Sequence, residues 1–164
     1  MKRPASWPRK WAPLNKLLLR TVDKGAITMN SNFDPQALGW IEERVIDDFT
    51  ALVGPLWSRM EAGAKRYAFL AEQKHINRYG GVHGGMLLWL ADKALSMKAW
   101  EACERPHIAT LQLDVQFVDN VKQSSLVEAY CEVIRKTSSI VFVTGRLQSG
   151  DKVVAMASGV WKYR

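Results

Sequence analysis

The sequence predicts an α+β fold with a mostly antiparallel sheet. Three observations support this prediction: two strand patterns precede residue 80, one long apolar helix is predicted at residues 83–102, and four strand patterns follow it. Four consecutive strands cannot readily be parallel, because each parallel pair needs a long crossover connection. One apolar helix followed by a run of strands is typical of the α+β class.

The composition is that of a globular protein. The chain has 164 residues, of which 48% are hydrophobic and 24% charged, so one domain with an appendage can pack a core. No uninterrupted apolar run reaches the roughly 18 residues that a transmembrane helix needs. Cys103 and Cys131 are isolated and lack the spacing of a zinc site, so we expect no metal and a reducing, cytoplasmic environment.

The net charge of +7 is concentrated at the amino terminus. Residues 1–24 contain seven Lys or Arg residues and one Asp, a net charge of +6, which leaves +1 for the rest of the chain. A nucleic-acid-binding domain carries its positive charge on a folded face. We therefore expect no nucleic-acid partner.

Residues 1–30 differ in character from everything that follows them. Three prolines interrupt any helix that begins there, and tryptophans and leucines are interleaved with Lys and Arg. We predict a poorly ordered basic extension, with Met29 as an alternative start of the chain, and one domain over residues 31–164. Two alternatives stay open for the extension: contact with an anionic membrane surface, or a transit peptide.

The domain is predicted to begin with a helix over about residues 35–50. Asp34 suits an N-cap and Pro35 suits the first helical position. Apolar residues then recur at helical spacing as far as Val45. The Gly-Pro pair that follows ends this region.

Strand patterns account for most of the remaining chain. Polar residues beginning at Thr110 alternate with apolar residues beginning at Leu111, with a period of two. Glu61-Ala-Gly-Ala and Ser149-Gly-Asp are typical hairpin turns. The predicted strands lie at residues 56–61, 66–73, 110–117, 126–134, 140–147 and 153–163.

Glycines mark the start of the long helix. Gly84 and Gly85 leave their backbone N–H groups unshielded, and such groups have no partner within the helix. Together with the positive end of the helix dipole, they predict a site for an oxygen that gains negative charge. His83, just before them, is predicted to fix the loop by a hydrogen bond, with a catalytic base as the alternative.

Asp92 is the second unusual feature of this helix. It follows the wholly apolar run 86–91, and a carboxylate in such surroundings is unfavourable unless it is paired or hydrogen-bonded. One interpretation is a functional carboxylate. The alternative is that Asp92 lies on a narrow exposed stripe with Ser96 and pairs with Lys93 or an arginine.

The pattern Asn-x5-His-Gly-Gly-x6-Asp runs from Asn77 to Asp92 and enters a hydrophobic helix followed by antiparallel strands. This set resembles the hotdog-fold acyl-CoA thioesterases of the phenylacetate-degradation and 4-hydroxybenzoyl-CoA branch, over about residues 34–164. The resemblance implies a sheet wrapped around a long central helix and homodimers that often pair as dimers of dimers. It also implies no metal and no cofactor, with coenzyme A entering as part of the substrate.

The same resemblance implies roles at the start of the helix. Gly84 matches the residue whose N–H polarises the thioester carbonyl, and Gly85 assists in binding the substrate. Asp92 matches the carboxylate that acts as nucleophile or as general base for water.

Three further site residues come from the resemblance. Asn77 and His83 match residues that orient the carbonyl and support the loop. Thr110 stands where relatives carry a Ser or Thr that positions the hydrolytic water or the carboxylate.

Spacing along the helix leaves two possibilities: either the chemistry fails, or Gly84 of one subunit meets Asp92 of its partner. The resemblance implies the second, a site shared between subunits. Gly84 and Asp92 are eight residues apart, or about 12 Å at 1.5 Å per residue, so one thioester cannot touch both within one chain. We expect a homodimer with two equivalent sites that hydrolyses acyl-CoA to free acid and coenzyme A. Two alternatives are a non-catalytic acyl-CoA-binding sensor or carrier, and a membrane-associated dimeric module that uses residues 1–30.

Overall fold

The computed structural model describes residues 34–44, 47–104 and 107–164. The predicted basic extension at residues 1–30 and the predicted domain boundary at residue 31 lie outside these ranges. The elements in chain order are β1 (Ile41–Glu42), α1 (Asp48–Val53), β2 (Trp57–Glu61), β3 (Ala64–Leu70), α2 (Gly84–Cys103), β4 (Ile108–Phe117), β5 (Leu126–Lys136), β6 (Ile140–Ser149) and β7 (Lys152–Tyr163). Short 3₁₀ turns stand at Gln36–Leu38 and Gln73–His75.

The described strands form one sheet in the order β1-β2-β3-β5-β6-β7-β4. Every neighbouring pair in it is antiparallel. α2 lies against one face, here called the inner face, and contacts β3 to β7. The α+β class and the sheet wrapped around a long central helix are therefore confirmed. None of the helices in the described residues is both long and apolar enough to cross a bilayer.

α2 is buried on most of its sides, as a predominantly apolar helix requires. Its residues with no exposed surface are Leu90, Ala91, Ala94, Leu95 and Ala99. The fully covered side chains that pack around it from the inner face include Phe69, Val127, Val141, Leu147 and Trp161. The small alanines bring the sheet close to the helix axis, and this core holds both ends of α2 in fixed positions.

Trp161 shows how closely helix and sheet fit. Its ring lies over Gly159, where a Cβ would come within 2.6 Å of the ring atom Cη2. Its indole Nε1–H donates a hydrogen bond to Ser96 Oγ on α2 at 2.7 Å. The buried donor is thus satisfied, and Ser96 faces the sheet instead of an exposed stripe.

The predicted helix over residues 35–50 is wrong. Only a 3₁₀ turn forms at Gln36–Leu38, and Gly39 ends it with a left-handed φ of 78°. Trp40 is then only 2% exposed and packs with Trp57 on the outer face of the sheet. Burial of this indole and pairing of β1 with β2 outweigh the local helical pattern, because helix propensity is a weak preference that tertiary packing overrides.

The true helix in this region, α1, begins at a different cap. Asp47 accepts hydrogen bonds from the Thr50 N–H at 2.7 Å and the Thr50 hydroxyl at 2.9 Å. Its other partner is Lys93 Nζ, 2.8 Å away on α2. The hydrogen bond from Lys93, followed by that from the Thr50 backbone, lowers the pKa of Asp47 to about 2. Asp47 therefore both caps α1 and attaches it to α2.

The other predicted elements are confirmed with small shifts of their ends. The helix predicted at residues 83–102 is Gly84–Cys103. The turn between β2 and β3 has positive φ at Ala62 and Gly63, 50° and 77°, as a type I′ hairpin turn requires. Gly150 provides the left-handed residue of the β6–β7 turn, with φ 59°.

Replacing Asp47 tests the attachment of α1. We expect Asp47→Ala to lower the free energy of unfolding by about 1 kcal/mol, because the cap and the contact with Lys93 are both lost. The matched control is Asp48→Ala, which removes a neighbouring exposed carboxylate that does not cap the helix. Urea denaturation of the two variants measures the difference, and equal losses in both would contradict the assignment of the cap.

Candidate active site

The first turn of α2 presents one unused backbone donor. His83 is the N-cap, and its Nδ1 accepts a hydrogen bond from the Gly85 N–H at 2.9 Å. The backbone N–H of His83 donates to the His75 carbonyl at 2.7 Å. Gly84, as the first helical residue, has no acceptor within the helix, and its N–H bonds to no other described residue.

These contacts divide the roles of the two glycines. The Gly85 N–H already donates to His83, and the part of Gly85 in substrate binding stays a prediction. Gly84 alone keeps a free donor at the positive end of the helix dipole. The hydrogen bond to the His83 ring agrees with the predicted loop-fixing role, and the alternative of a catalytic base is not tested by it.

Phe117 and Asn120 explain why glycines stand at positions 84 and 81. A Cβ on Gly84 would lie 3.3 Å from Phe117 Cζ, and a Cβ on Gly81 would lie 1.9 Å from Asn120 Oδ1. The Val82 N–H donates to the Val121 carbonyl at 2.8 Å. The loop before α2 and the loop after β4 therefore interlock at the backbone level.

Asn77 folds the loop that leads to α2. Its Oδ1 accepts hydrogen bonds from the Tyr79 N–H at 2.8 Å and the Gly81 N–H at 3.3 Å. Its backbone N–H donates to the Gly81 carbonyl at 2.8 Å. Because Oδ1 is already used, only the Nδ2 hydrogens remain to contact a substrate.

A cleft of about 440 Å³ opens at this end of α2. Its lining combines apolar side chains with the polar residues Asp119 and Asn120. The residues that line it are Val82, Gly84, Leu87, Phe117, Val118, Asp119 and Asn120. The unused N–H of Gly84 thus borders a space that is large enough for part of a small-molecule ligand.

Asp92 is held by a side chain from the sheet. The Thr110 hydroxyl donates to Asp92 Oδ1 at 3.0 Å, and the carboxylate is half-buried. Lys93 does not pair with it, because the lysine turns to Asp47 instead. The alternative of a Lys93–Asp92 ion pair is therefore wrong, and Asp92 Oδ2 has no partner among the described residues.

A β-bulge aims Thr110 at Asp92. β4 pairs with β7 through Thr110 and Trp161, and then through Gln112 and Val160, so that Leu111 is an extra residue. With strict alternation, the side chains of Thr110 and Gln112 would lie on the same face of the sheet. The extra residue reverses the alternation, so Thr110 faces α2, and the uninterrupted period of two predicted from Thr110 is wrong at Leu111. Bulges commonly redirect side chains beside functional sites.

The structure does not join Gly84 and Asp92 within one chain. They stand at opposite ends of eight residues of a straight helix, about 12 Å apart along its axis. Thr110 lies with Asp92, whereas Asn77 and His83 lie with Gly84. The predicted residues therefore form two separate half-sites on each chain.

His75 supports the half-site at Gly84, although no sequence pattern singles it out as a site residue. It is 4% exposed, its Nδ1 accepts from the Glu72 N–H at 3.0 Å, and its Nε2 lies 2.7 Å from the Val53 carbonyl. Burial, the largest cause, lowers the pKa of His75. The neutral His75 ring therefore contacts α1 through the Val53 carbonyl, and the His75 carbonyl accepts the hydrogen bond from the His83 N–H.

Metal ligands are not clustered in the described residues. No three His, Cys, Asp or Glu side chains among them could together hold a metal ion. Cys103 and Cys131 form no disulfide with each other, and burial raises the pKa of the Cys131 thiol to about 12. Such a thiol is a poor nucleophile at neutral pH.

Comparison with known proteins identifies the family. The family model described as "Thioesterase superfamily" matches residues 79–156, a range that includes Gly84, Asp92 and Thr110. A Pseudomonas aeruginosa protein named "Putative esterase PA0474" is 32% identical over 112 residues, which cover 67% of this chain and 84% of that protein. The chain belongs to the thioesterase superfamily. Membership supports thioester hydrolysis as the general class of its reaction.

Solved structures show that this thioesterase-superfamily chain has the hotdog fold. A mutant of the phenylacetic acid degradation protein PaaI from Thermus thermophilus matches with a TM-score of 0.63 at 21% identity, over 72% of this chain and 100% of that one. A Bacillus halodurans protein solved with CoA matches with a TM-score of 0.55 at 19% identity, over 59% and 65% of the two chains. At these identities the comparison supports the fold alone.

The neutral state of His75 makes stability depend on pH. Its folded pKa lies below that of an unfolded histidine, about 6.5, so the unfolded chain binds the proton first as the pH falls. We expect stability to decrease from about pH 7 to about pH 5, with a smaller decrease for His75→Gln. Denaturation at both pH values measures this, with His107→Gln, an exposed histidine, as the control. An unchanged pH dependence in His75→Gln would contradict the assignment.

Proposed function

We propose that the protein hydrolyses acyl-CoA thioesters to a free acid and coenzyme A, as a homodimer with two shared active sites. The observation that carries the proposal is the pair of half-sites on α2. One half-site offers an unused N–H at Gly84, and the other offers the Asp92 carboxylate oriented by Thr110. A thioester carbonyl that is attacked by a carboxylate or by water needs both.

The free edge of the sheet supports the shared arrangement. β4 is the outermost strand, and its exposed backbone groups form a template for another strand. Two copies of β4 that pair antiparallel around a twofold axis set the Thr110 end of one against the Phe117 end of the other. Because Thr110 contacts Asp92 and Phe117 contacts Gly84, this pairing brings Asp92 of one subunit toward Gly84 of its partner.

Exposed apolar side chains on β4 agree with a covered edge. Leu111 at the bulge is 56% exposed and Phe117 is 57% exposed. Exposed large apolar side chains along an edge strand are typical of an interaction surface. The dimer of dimers implied by the resemblance stays a prediction.

The reaction begins with the thioester oxygen on the Gly84 N–H. Negative charge that develops on this oxygen is stabilised by the N–H and by the dipole of α2. The loop held by Asn77, His83 and His75 fixes the donor before substrate binds, so little reorganisation is needed during the reaction. Gly84 accordingly acts as the oxyanion donor.

The partner's Asp92 supplies the second half of the reaction by one of two routes. As nucleophile, its carboxylate oxygen forms a bond to the carbonyl carbon, the C–S bond breaks, and the thiolate of coenzyme A leaves and takes a proton from water. Water then cleaves the mixed anhydride and regenerates the carboxylate. As general base, Asp92 instead removes a proton from the water that attacks. The Thr110 hydroxyl holds the carboxylate in either route.

Coenzyme A is proposed as the thiol of the substrate, with no further cofactor. The fold neighbour from Bacillus halodurans was solved with CoA, which supports a nucleotide thiol. The thiol form of Cys103 and Cys131 agrees with a reducing, cytoplasmic location. Release of free thiol from a panel of aliphatic and aromatic acyl-CoA esters tests the proposal directly. Binding without thiol release from any ester would favour the acyl-CoA sensor or carrier instead.

Removing the charge of Asp92 tests the assigned carboxylate. We expect Asp92→Asn to lower kcat by about 10³-fold, because the amide neither attacks the carbonyl nor accepts a proton from water. The dimer and the melting temperature should be retained, since the amide still accepts the hydrogen bond from Thr110. The matched control is Asp114→Asn, which removes an exposed carboxylate on β4, the strand that carries Thr110. Asp114 accepts a hydrogen bond from Gln112. Wild-type turnover in Asp92→Asn would show that the site is misplaced.

A further inference from the structure

Asn120 carries a carboxamide that the fold itself does not use. Its backbone N–H bonds to the Asp119 carboxylate at 2.7 Å, but its side-chain amide has no hydrogen bond to any described residue. The residue lines the same cleft as Gly84, at the polar rim formed with Asp119. The exposed amide of Asn120 therefore offers a donor and an acceptor at the edge of the space beside the proposed oxyanion donor.

The position of this carboxamide is held by its surroundings. Its oxygen lies where a Cβ of any residue other than glycine at position 81 would stand. The hydrogen bond from Val82 to the Val121 carbonyl locks the two backbones on either side of the contact. The amide thus packs against Gly81 at the surface, where Asn120 is exposed and a ligand can take the place of water on its donor and acceptor.

The chemistry of an acyl-CoA fits this position. In such a thioester, two methylene groups separate the sulfur from the first amide of the pantetheine arm. With the thioester oxygen on Gly84, an arm that runs along the cleft places its methylenes against Val82 and Val118 and its amide toward the polar rim. That amide has one N–H donor and one carbonyl acceptor, which complement a carboxamide. An apolar acyl group that covered the exposed Asn120 amide would remove water from it and offer no hydrogen bond in return.

We propose that Asn120 binds the first pantetheine amide and determines specificity for the thiol half of the substrate. The inference rests on the proposed function and goes beyond it, because it assigns the cleft at Gly84 to the pantetheine arm. The acyl group then lies on the other side of the thioester, toward the partner's Asp92. Asn120 acts in recognition and takes no part in bond making.

Two matched thioesters test the proposal with the full-length chain. One is an acyl ester of N-acetylcysteamine, which has the amide, and the other is the same acyl ester of 2-acetoxyethanethiol, which replaces the amide N–H by oxygen. We expect the wild type to show a KM about fivefold lower for the amide compound, with similar kcat for both. Asn120→Leu should abolish this preference and keep kcat. Gln36→Leu, an exposed amide far along the chain, is the control and should keep the preference.

The possible results separate the two proposals. If the wild type hydrolyses both compounds and Asn120→Leu keeps the amide preference, the inference is overturned while the proposed function stands. The inference would also be overturned if Asn120→Leu changed the preference for acyl-chain length and kept the amide preference, because the cleft would then hold the acyl group. No thiol release by the wild type from these or any acyl-CoA ester would overturn both. Equal melting temperatures confirm that Asn120→Leu is folded.

Discussion

Gly84 and Asp92 stand on one rigid helix, and this constraint shapes the rest of the site. α2 is enclosed by the sheet over most of its length, so neither residue can move toward the other. About 12 Å of helix axis separates an anion-stabilising N–H from the carboxylate. The two groups act on one thioester only if a second copy of the chain supplies one of them. In the proposed dimer, the surface through which that copy approaches is the outer side of the edge strand β4, which contacts both half-sites.

Polar side chains set the hydrogen bonding of each half-site, whereas the apolar core holds α2 in place. Asn77 accepts hydrogen bonds from loop N–H groups and His83 accepts one from the Gly85 N–H in the first turn of α2, whereas the Gly84 N–H stays free. At the other half-site, Lys93 is bound by Asp47 and therefore does not neutralise the neighbouring carboxylate. The free N–H donor of Gly84 and the unneutralised carboxylate of Asp92 thus depend on the polar side chains around them.

Patterns that depend on local sequence predicted most of this fold. The strand alternation, the hairpin turns and the apolar run of α2 are local, and Asp92 was visible as a charge within that run. The bulge at Leu111 was not predictable, because it is defined by the register of β4 against β7. The helix expected at residues 35–50 failed for a similar reason, since burial of Trp40 is a tertiary effect. The contacts of Asn120 also join segments that are distant in sequence.

The most direct test of the shared site is complementation between two inactive variants. Gly84→Val places side-chain atoms against Phe117 at the oxyanion donor, and Asp92→Asn removes the carboxylate. Co-refolding equal amounts of the two should restore about a quarter of wild-type activity, because half of the dimers are mixed and each mixed dimer has one intact site. Refolding Asp92→Asn alone is the control and should restore none. A mixture no more active than its components would show that each site lies within one chain.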